Sequence, residues 1–513
     1  MPRLVSKDGR HELLVDGNPF FILGAQMNNS SDWPAFLPQV WAAIDDIHAN
    51  TLEAPVYWQQ VERHEGKFNF SDLDTLISQA RKHNVRLVLL WFGSWKNGSM
   101  NYAPDWVKLD TACFPREWDA KDQPQTILSV FSKATLDADR RAFVALMQHL
   151  KETDGTRHTV IMVQVENETG TWGFTRDHSP AAESAFRGQV PPDLLQAMHK
   201  EPGTWDQVFG SDADETFSAY TIARFVDQVA SAGKAVYNLP MYANASLRDP
   251  EDPNARPGAT YQSGGPSYNM IDVWKVAAKS LDILCPDIYL HGASSYMKTL
   301  QLYDRPDNAL FVPETTNFPA YSRFLFAVIG MGGIGFSPFG IDYTSYTNYP
   351  LGADRISKDA LFPLSEEYQL LCPMDEEIAR LSYEGKVKTA VEYADTSVHT
   401  ATLNFGKWVA TVSYGLPQFG YGDNPPGNPS HDGCALVAEI GPNEFLVTGI
   451  DSRVRFSLSA AESGQSMQFL RVEQGEYVKD KWKFLRHWNG DQTDWGLNFK
   501  HDPAVLHVKL ETF

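Results

Sequence analysis

The sequence predicts a parallel (β/α)8 barrel, the TIM-barrel class, followed by a smaller β-sandwich domain. Three observations lead to this prediction. Strand-like and helix-like segments alternate up to about residue 385, the alternation contains eight strands with a helix after each, and helical periodicity is lost from residue 386 onward. We therefore expect residues 1–385 to form the barrel and residues 386–513 to form the sandwich.

The eight barrel strands are expected at 20–26, 51–58, 86–92, 160–168, 235–244, 281–289, 309–317 and 333–342. They are rich in aliphatic and aromatic residues, as strands buried on both faces are. The helices are expected at 33–49, 72–84, 136–152, 215–233, 270–280, 293–304, 320–331 and within 357–385. A doubly wound open sheet is the alternative, but no GxGxxG motif follows an early strand.

The C-terminal segment shows the period of β-structure. Residues 398–415, 434–450, 453–459 and 468–478 alternate apolar and polar side chains, with turn residues between the segments. This pattern predicts the antiparallel strands of a sandwich. Its aromatic residues alternate as core residues do, so we expect this domain to pack on the barrel; glycan binding by the domain itself stays open.

Composition excludes several classes of function. A net charge of −20 disfavours nucleic acid or an anionic membrane as a partner, and no apolar segment is long enough to span a bilayer. Four scattered cysteines form no metal-ligand cluster, so we expect no metal and no cofactor. The N-terminus lacks an apolar signal core, which predicts either a cytoplasmic protein or a periplasmic or secreted one whose signal has been removed. A homodimer stays open.

Polar residues interrupt the fourth expected strand at every second position. In 160-VIMVQVENETGTWG-173, the side chains of Gln164, Glu166 and Glu168 share one face. A buried carboxylate is costly unless it is partnered or used. We expect Glu166 and Gln164 to form a paired polar layer inside the barrel, and Glu168, at the strand end, to face its mouth.

Reactive and sugar-binding side chains are expected at the carboxyl ends of the strands, where barrel active sites lie. Glu168 ends the fourth strand and Glu314 ends the seventh, nearly opposite each other. Around them are aromatic rings, amides and one lysine, the groups that stack on sugar rings and bind sugar hydroxyls. These expected substrate-binding residues are Asn167, Tyr289, Tyr57, Trp95, Asn244 and Lys96.

Two opposed carboxyl groups are what glycoside hydrolysis requires. One must carry a proton for the leaving oxygen, and the other must be ionised to attack the anomeric carbon or to activate water. A separation of about 5–5.5 Å would predict retention of configuration through a covalent intermediate. The pair Glu168 and Glu314 is therefore the candidate catalytic pair.

Three stretches resemble glycoside hydrolase family 35, the β-galactosidases. The segment 163-VQVENETG-170 is similar to the acid/base motif of that family, 311-FVPETTN-317 is similar to its nucleophile strand, and residues 53–91 resemble its second barrel unit. The order of Asn-Glu followed by a distant Glu is shared across the clan of retaining barrel glycosidases, clan A. The resemblance covers the whole barrel.

The resemblance implies roles for four residues. Glu168 would be the acid/base, Glu314 the nucleophile, Asn167 the partner of the sugar 2-hydroxyl, and Tyr289 a contact of the nucleophile. Strict alternation turns Asn167 away from Glu168, so its role requires the strand to bend or end there. The implied activity is that of a retaining exo-β-galactosidase from a divergent, shorter bacterial-type branch.

Two departures from the family keep other functions open. The segment 92-FGSWKNGSMNYAPDW-106 lacks a glutamate that helps the larger members hold galactose, and Thr315 and Thr316 stand where many members have an aromatic residue. A retaining glycosidase acting on a β-glucoside, β-mannoside or β-xyloside is one alternative. A catalytically silent carbohydrate-binding protein is another.

Overall fold

Eight parallel strands close into a barrel in the computed structural model, which describes residues 1–394, 396–420, 422, 424–460, 464–478, 481–500 and 503–513. Each strand pairs with the next along the chain, and the eighth pairs with the first. The strands are Ile22–Gln26, Thr51–Tyr57, Arg86–Lys96, Val160–Asn167, Met241–Ser246, Ile283–Ile288, Phe311–Thr315 and Gly335–Pro338. The predicted (β/α)8 barrel is confirmed.

Helices surround the barrel and cover its outer face. The main helices are Leu37–Asp46, Ser71–His83, Lys133–Asp154, Ala213–Val236, Ile271–Ala277, Ala293–Tyr303, Phe324–Gly330, Lys358–Leu371 and Asp375–Tyr383. Shorter helices at Trp58–Val61, Asp105–Leu109, Pro180–Phe186, Pro192–Ala197 and Trp205–Phe209 lie in the connections. The connections also hold a two-stranded sheet of Arg116–Trp118 and Pro124–Leu128, and three strands precede the barrel at Arg3–Lys7, Arg10–Val15 and Asn18–Pro19.

The fifth strand is shorter than predicted. The preceding helix continues to Val236 and the strand begins only at Met241, so residues 235–240 are not strand. A short apolar run can end a buried helix or begin a buried strand, and periodicity alone does not separate the two.

The third and fourth strands pair irregularly near their carboxyl ends. Trp91 pairs with Val165 and Lys96 pairs with Asn167, so four residues of the third strand face Glu166 alone. The fourth strand has positive φ angles at Glu166 (62°) and Glu168 (40°), a backbone region that few residues other than glycine adopt. The regular alternation of side chains therefore ends before the last residues of this strand.

The C-terminal region forms two antiparallel sheets, as the fold-class prediction requires. One contains, in spatial order, Val387–Val391, Cys434–Gly441, Glu444–Ile450, Val505–Thr512, Met467–Val478 and Lys481–His487, and the other contains Thr400–Phe405, Trp408–Tyr414, Ser452–Leu458 and Leu497–Phe499. Apolar side chains from both sheets form a shared core.

The six-stranded sheet also packs on the barrel. Leu436, Ala438 and Leu446 of this sheet belong to the same buried cluster as the helix Phe324–Gly330. The guanidinium of Arg323 donates to the carbonyl of Glu392 at 2.7 Å, which adds a polar link. None of the helices in the described ranges combines the length and apolar character needed to span a bilayer.

Candidate active site

Three carboxyl groups meet at the carboxyl ends of barrel strands four, six and seven. One oxygen from each of Glu168, Asp287 and Glu314 lies within 4.8 Å of the other two. Glu314 and Asp287 are buried, and Glu168 is half-buried. The two glutamates of the expected pair are therefore brought together, and a third acid that the sequence interpretation did not include joins them.

The positive φ angles of strand four bring Asn167 and Glu168 into one site. The backbone N–H of Glu168 donates to Asn244 Oδ1 at 2.9 Å, which fixes the residue against strand five. Asn167 Oδ1 accepts from Lys96 Nζ at 2.8 Å. A regular pleat would have separated the two side chains, so the bend that the role of Asn167 requires is present.

Glu166 lies on the other side of the barrel wall, and the expectation of an interior layer with Gln164 is wrong for it. Its Oε2 accepts from the backbone N–H of Trp95 at 2.7 Å, and hydrogen bonding joins its carboxyl group to Asp139 of the helix Lys133–Asp154. Burial raises the pKa of Glu166 well above its usual value, and the charge of Asp139 raises it further. Glu166 thus fastens the irregular strand end to the helix layer.

Asn244 and Asp287 form a polar support beneath Glu168. Asn244 Nδ2 donates to Asp287 Oδ2 at 2.5 Å, while Asn244 Oδ1 accepts from Glu168. Both ends of the Asn244 amide are therefore occupied, and the residue positions its neighbours. Asp287 is two residues before Tyr289, so the two-residue period that places Tyr289 at the strand end would also have placed Asp287 on the inner face.

Glu314 has one partnered and one free oxygen. Tyr289 donates its hydroxyl to Glu314 Oε1 at 2.6 Å. Glu314 Oε2 and Asn167 Nδ2 are buried and have no hydrogen-bond partner within the described part of the chain. Buried polar atoms are nearly always paired, so these two atoms mark where a polar ligand would bind.

Lys96 is a buried cation beside this pair. Its Nζ donates to Asn167 Oδ1 and to Asn97 Oδ1, both at 2.8 Å, and lies 5.0 Å from the centre of the Phe92 ring. The lysine is 4% exposed. It is thus fully engaged in holding Asn167, and its positive charge reaches Glu168.

The pKa of Glu168 is higher than that of an ordinary surface glutamate. Burial raises the pKa of Glu168 to about 7, with a further increase from the charge of Glu314; Lys96 and a hydrogen bond from Asp287 act in the opposite direction. Burial, then the charges of Glu314 and Glu168, raise the pKa of Asp287 well above its usual value. Like charges at this separation cannot all be ionised at neutral pH.

The same three acids are the one His/Cys/Asp/Glu group within the described ranges whose ligand atoms are close enough to share a metal ion. A hard cation takes carboxylate oxygens, but only in their deprotonated form. Binding of such a cation would therefore require Glu168 and Asp287 to lose the protons that their raised pKa values favour.

Trp95 lies outside the site, whereas Tyr57 belongs to a buried aromatic group. Trp95 is 1% exposed and packs edge-on against Phe225 in the helix layer, because the irregular segment of strand three turns it outward. Tyr57 is buried with Phe92 and Tyr102, at ring-centre distances of 6.0 and 4.6 Å. The expectation that Trp95 contacts a substrate is not met, and the same expectation for Tyr57 stays a prediction.

Part of the chain matches a profile of β-galactosidases. Residues 39–222 match the glycoside hydrolase family 42 profile, described as β-galactosidase. Residues 364–500 match a domain of unknown function, DUF5597. The first match includes Glu168 and ends before Glu314. A comparison with curated proteins found no match.

Solved structures similar to this chain include several β-galactosidases. The enzyme from Bacillus circulans sp. alkalophilus has a TM-score of 0.52 at 15% identity, over 70% of this chain and 57% of that one. A cold-adapted β-galactosidase from a Rahnella species has a TM-score of 0.49 at 14% identity, over 72% of this chain and 57% of that one. The catalytic domain of a Paenibacillus polymyxa β-amylase has a TM-score of 0.48 at 14% identity, over 67% and 97% of the two chains.

The chain thus spans a little over half the length of these two β-galactosidases. The findings do not support the resemblance to family 35, because the matching profile is that of family 42. They do support the clan of retaining barrel glycosidases to which that resemblance pointed. The prediction of a glycoside hydrolase has the support of this profile match, and the (β/α)8 barrel on which it rests is confirmed.

Proposed function

We propose that this protein is a retaining exo-β-galactosidase, which removes terminal β-galactosyl residues from oligosaccharides or polysaccharides. One observation carries the proposal: Glu168 and Glu314 have oxygens within 4.8 Å of each other, and the two carboxyl groups have different environments. The proximity of the groups favours the retaining geometry, since inverting enzymes separate them by about 6.5–9.5 Å to admit a water molecule.

Glu168 acts as the acid and Glu314 as the nucleophile. A pKa of about 7 leaves Glu168 largely protonated in mildly acidic solution and about half protonated at neutral pH. Glu314 offers the unpaired Oε2 and accepts from Tyr289 through Oε1. Asp287 is the less suitable nucleophile, because its carboxyl group hydrogen-bonds to Glu168 and its raised pKa favours the neutral form.

The reaction takes two displacements. Glu314 Oε2 attacks the anomeric carbon while the bond to the leaving oxygen breaks and that oxygen takes the proton of Glu168. The products are a galactosyl ester of Glu314 and a free alcohol. Glu168, now a carboxylate, then removes a proton from water, which attacks the same carbon, breaks the ester and regenerates both glutamates.

The surrounding residues position this pair. Asn167 offers Nδ2 to a hydroxyl of the bound sugar, and Lys96 fixes the orientation of the amide by binding its oxygen. Asn244 and Asp287 hold Glu168 through its backbone and its carboxyl group. The burial of Glu314 (5% exposed) and Asn167 (0%) favours a recess that accepts a terminal sugar over an open cleft.

The domain division accompanies this proposal. We place the catalytic barrel at residues 1–385 and the sandwich at 386–513. In support, the last barrel helix ends at Tyr383 and the first strand of the six-stranded sheet begins at Val387.

The choice of galactose is tested with aryl glycosides that differ only at C4. We expect the nitrophenyl β-galactoside to be hydrolysed with a kcat/KM at least tenfold above that of the β-glucoside. Equal values would favour a glycosidase of another specificity, the reading suggested by the missing glutamate in 92–106. Aryl β-mannoside and β-xyloside extend the same comparison.

A carbohydrate-binding protein without activity is tested with Glu314→Ala. We expect this variant to lose several orders of magnitude in turnover and to regain part of it with azide, yielding a galactosyl azide of inverted configuration. A binding protein would show no turnover before or after the substitution.

A further inference from the structure

Trp172 is an exposed tryptophan close to the acid/base residue. It is 43% exposed, and the other tryptophans of the described residues are buried or half-buried. It comes four residues after Glu168 in the loop that follows strand four. Tryptophan is enriched at binding surfaces, where its ring offers an apolar face and its N–H finds a hydrogen-bond partner.

The loop that carries Trp172 is held on both sides of the ring. Thr171 exchanges two backbone hydrogen bonds with Ser263, at 3.0 and 3.1 Å, and Gly173 N donates to Gly258 O at 2.7 Å. The Thr171 hydroxyl donates to the carbonyl of Phe174 at 2.7 Å. The exposed ring is therefore mounted on a fixed backbone.

One buried side chain joins the indole to the acid/base residue. With the amide of Gln262 oriented to satisfy all its neighbours, Nε2 donates to the carbonyl of Glu168 at 2.8 Å, and Oε1 accepts from Trp172 Nε1 at 2.9 Å and from Gly98 N at 3.2 Å. Gln262 is 1% exposed. The polar edge of the indole is thus satisfied, and its apolar face stays open.

Gly98 fits this arrangement. Its φ of 65° lies in the left-handed region, and a Cβ there would stand 2.8 Å from the carbonyl oxygen of Gly170 and 3.6 Å from Cδ1 of Trp172. A side chain at residue 98 would crowd the loop that carries Trp172. The glycine lets the loops after strands three and four meet beside Glu168.

We propose that Trp172 forms the binding subsite for the leaving-group sugar, as a platform for the apolar face of its ring. This inference rests on the proposed function and adds to it a binding site for the sugar that leaves. Glu168 gives its proton to the leaving oxygen, so the leaving group lies on the Glu168 side, where the loop of Trp172 stands. Sugar rings stack on aromatic faces, and an immobilised indole loses little entropy in that contact.

The test compares two substrates that share galactose and differ in the leaving group. A β-galactosyl-glucose disaccharide has a sugar to stack on Trp172, and β-galactosyl fluoride has none. For Trp172→Ala we expect kcat/KM on the disaccharide to fall about tenfold or more, and kcat/KM on the fluoride to change less than about twofold. Trp172→Phe keeps an aromatic face and is expected to recover most of the loss.

Phe484→Ala serves as the matched control, because it removes another exposed aromatic ring, 48% exposed, from a sandwich strand; both substrates should be unaffected. An equal loss on disaccharide and fluoride would overturn the subsite, since it would indicate a general disturbance of the galactose site. A loss on methyl β-galactoside as large as that on the disaccharide would also overturn it, because the methoxy leaving group needs the proton of Glu168 but has no ring to stack on Trp172. An unchanged rate on the disaccharide would also overturn it. If the unsubstituted protein hydrolysed neither substrate, the proposed function would fail and the subsite with it.

Discussion

Replacing Glu314 with Gln removes a negative charge beside Glu168 while keeping nearly the same shape. The charge of Glu314 is, after burial, the second cause of the raised pKa of Glu168. Without that charge, ionising Glu168 no longer creates a close pair of like charges. The pKa of Glu168 must therefore fall in Glu314→Gln.

The separation of the two groups sets the magnitude. Two unit charges 4.8 Å apart interact by about 3.5 kcal/mol at an effective dielectric constant near 20, which corresponds to about 2.5 pKa units. Because Glu168 is half-buried, solvent screens part of this interaction. We expect a decrease of about one to two units, from about 7 to between about 5 and 6.

The assay follows the Glu168 carboxyl carbon by ¹³C NMR across a pH titration of protein labelled at the glutamate δ-carbon, with Glu168→Gln used to assign the signal. Glu65→Gln is the control, since Glu65 is a 63% exposed glutamate outside the site, and it should leave the titration of Glu168 unchanged. In the unsubstituted enzyme, kcat/KM should decline as pH rises through about 7, because ionised Glu168 has no proton to give. A pKa of Glu168 that stays the same or rises in Glu314→Gln would refute the electrostatic reasoning.

Three further variants test the supporting residues. Asp287→Asn can still accept a hydrogen bond from Asn244 and donate one to Glu168, so if neutral Asp287 is the working form this variant should keep kcat/KM within about tenfold. Asp287→Ala leaves buried partners unpaired and should lose about 100-fold in kcat/KM. Equal losses in the two variants would contradict a neutral Asp287. Tyr289→Phe removes the hydrogen-bond donor to Glu314 and should reduce kcat/KM on an aryl galactoside by about 10- to 100-fold. A kcat/KM near the original value would show that Tyr289 does not assist the nucleophile. Glu168→Ala should retain the first step for a dinitrophenyl galactoside, because that leaving group needs no proton. Azide should accelerate the variant and yield β-galactosyl azide. Acceleration without formation of β-galactosyl azide would argue against Glu168 as the acid/base.

The barrel could be predicted from the sequence because its signal is repeated. Eight alternations of buried strand and amphipathic helix leave few other topologies, and the strand ends at Glu168 and Glu314 follow from that topology alone. Errors remained where one short segment could satisfy two patterns, as in residues 235–240, where the preceding helix continues to Val236 and strand five begins only at Met241.

Periodicity failed where the backbone leaves the regular strand. The positive φ of Glu166 turns its carboxyl group to Asp139, and the irregular pairing of strand three carries Trp95 into the helix layer. These departures depend on contacts between strands three and four and the helix outside them, which no local pattern encodes. Asp287 is a different case, because the two-residue period from Tyr289 already pointed to it.

Family assignment was limited by the length of the motifs. The stretches around Glu168 and Glu314 carry the features common to a clan, and the family 42 profile matches a region that includes the first of them. The segment 92–106, which lacks the glutamate expected from the resemblance to family 35, gave no further guide to the sugar. The reaction could therefore be predicted more firmly than the sugar.

The central claim is that Glu168 and Glu314 act on one anomeric carbon in two successive displacements. Proton NMR of the first minutes of hydrolysis of an aryl β-galactoside tests it most directly, because the anomer released first appears before mutarotation. Two displacements predict that β-galactose forms first and the α-anomer accumulates only later. Initial release of α-galactose would contradict the account.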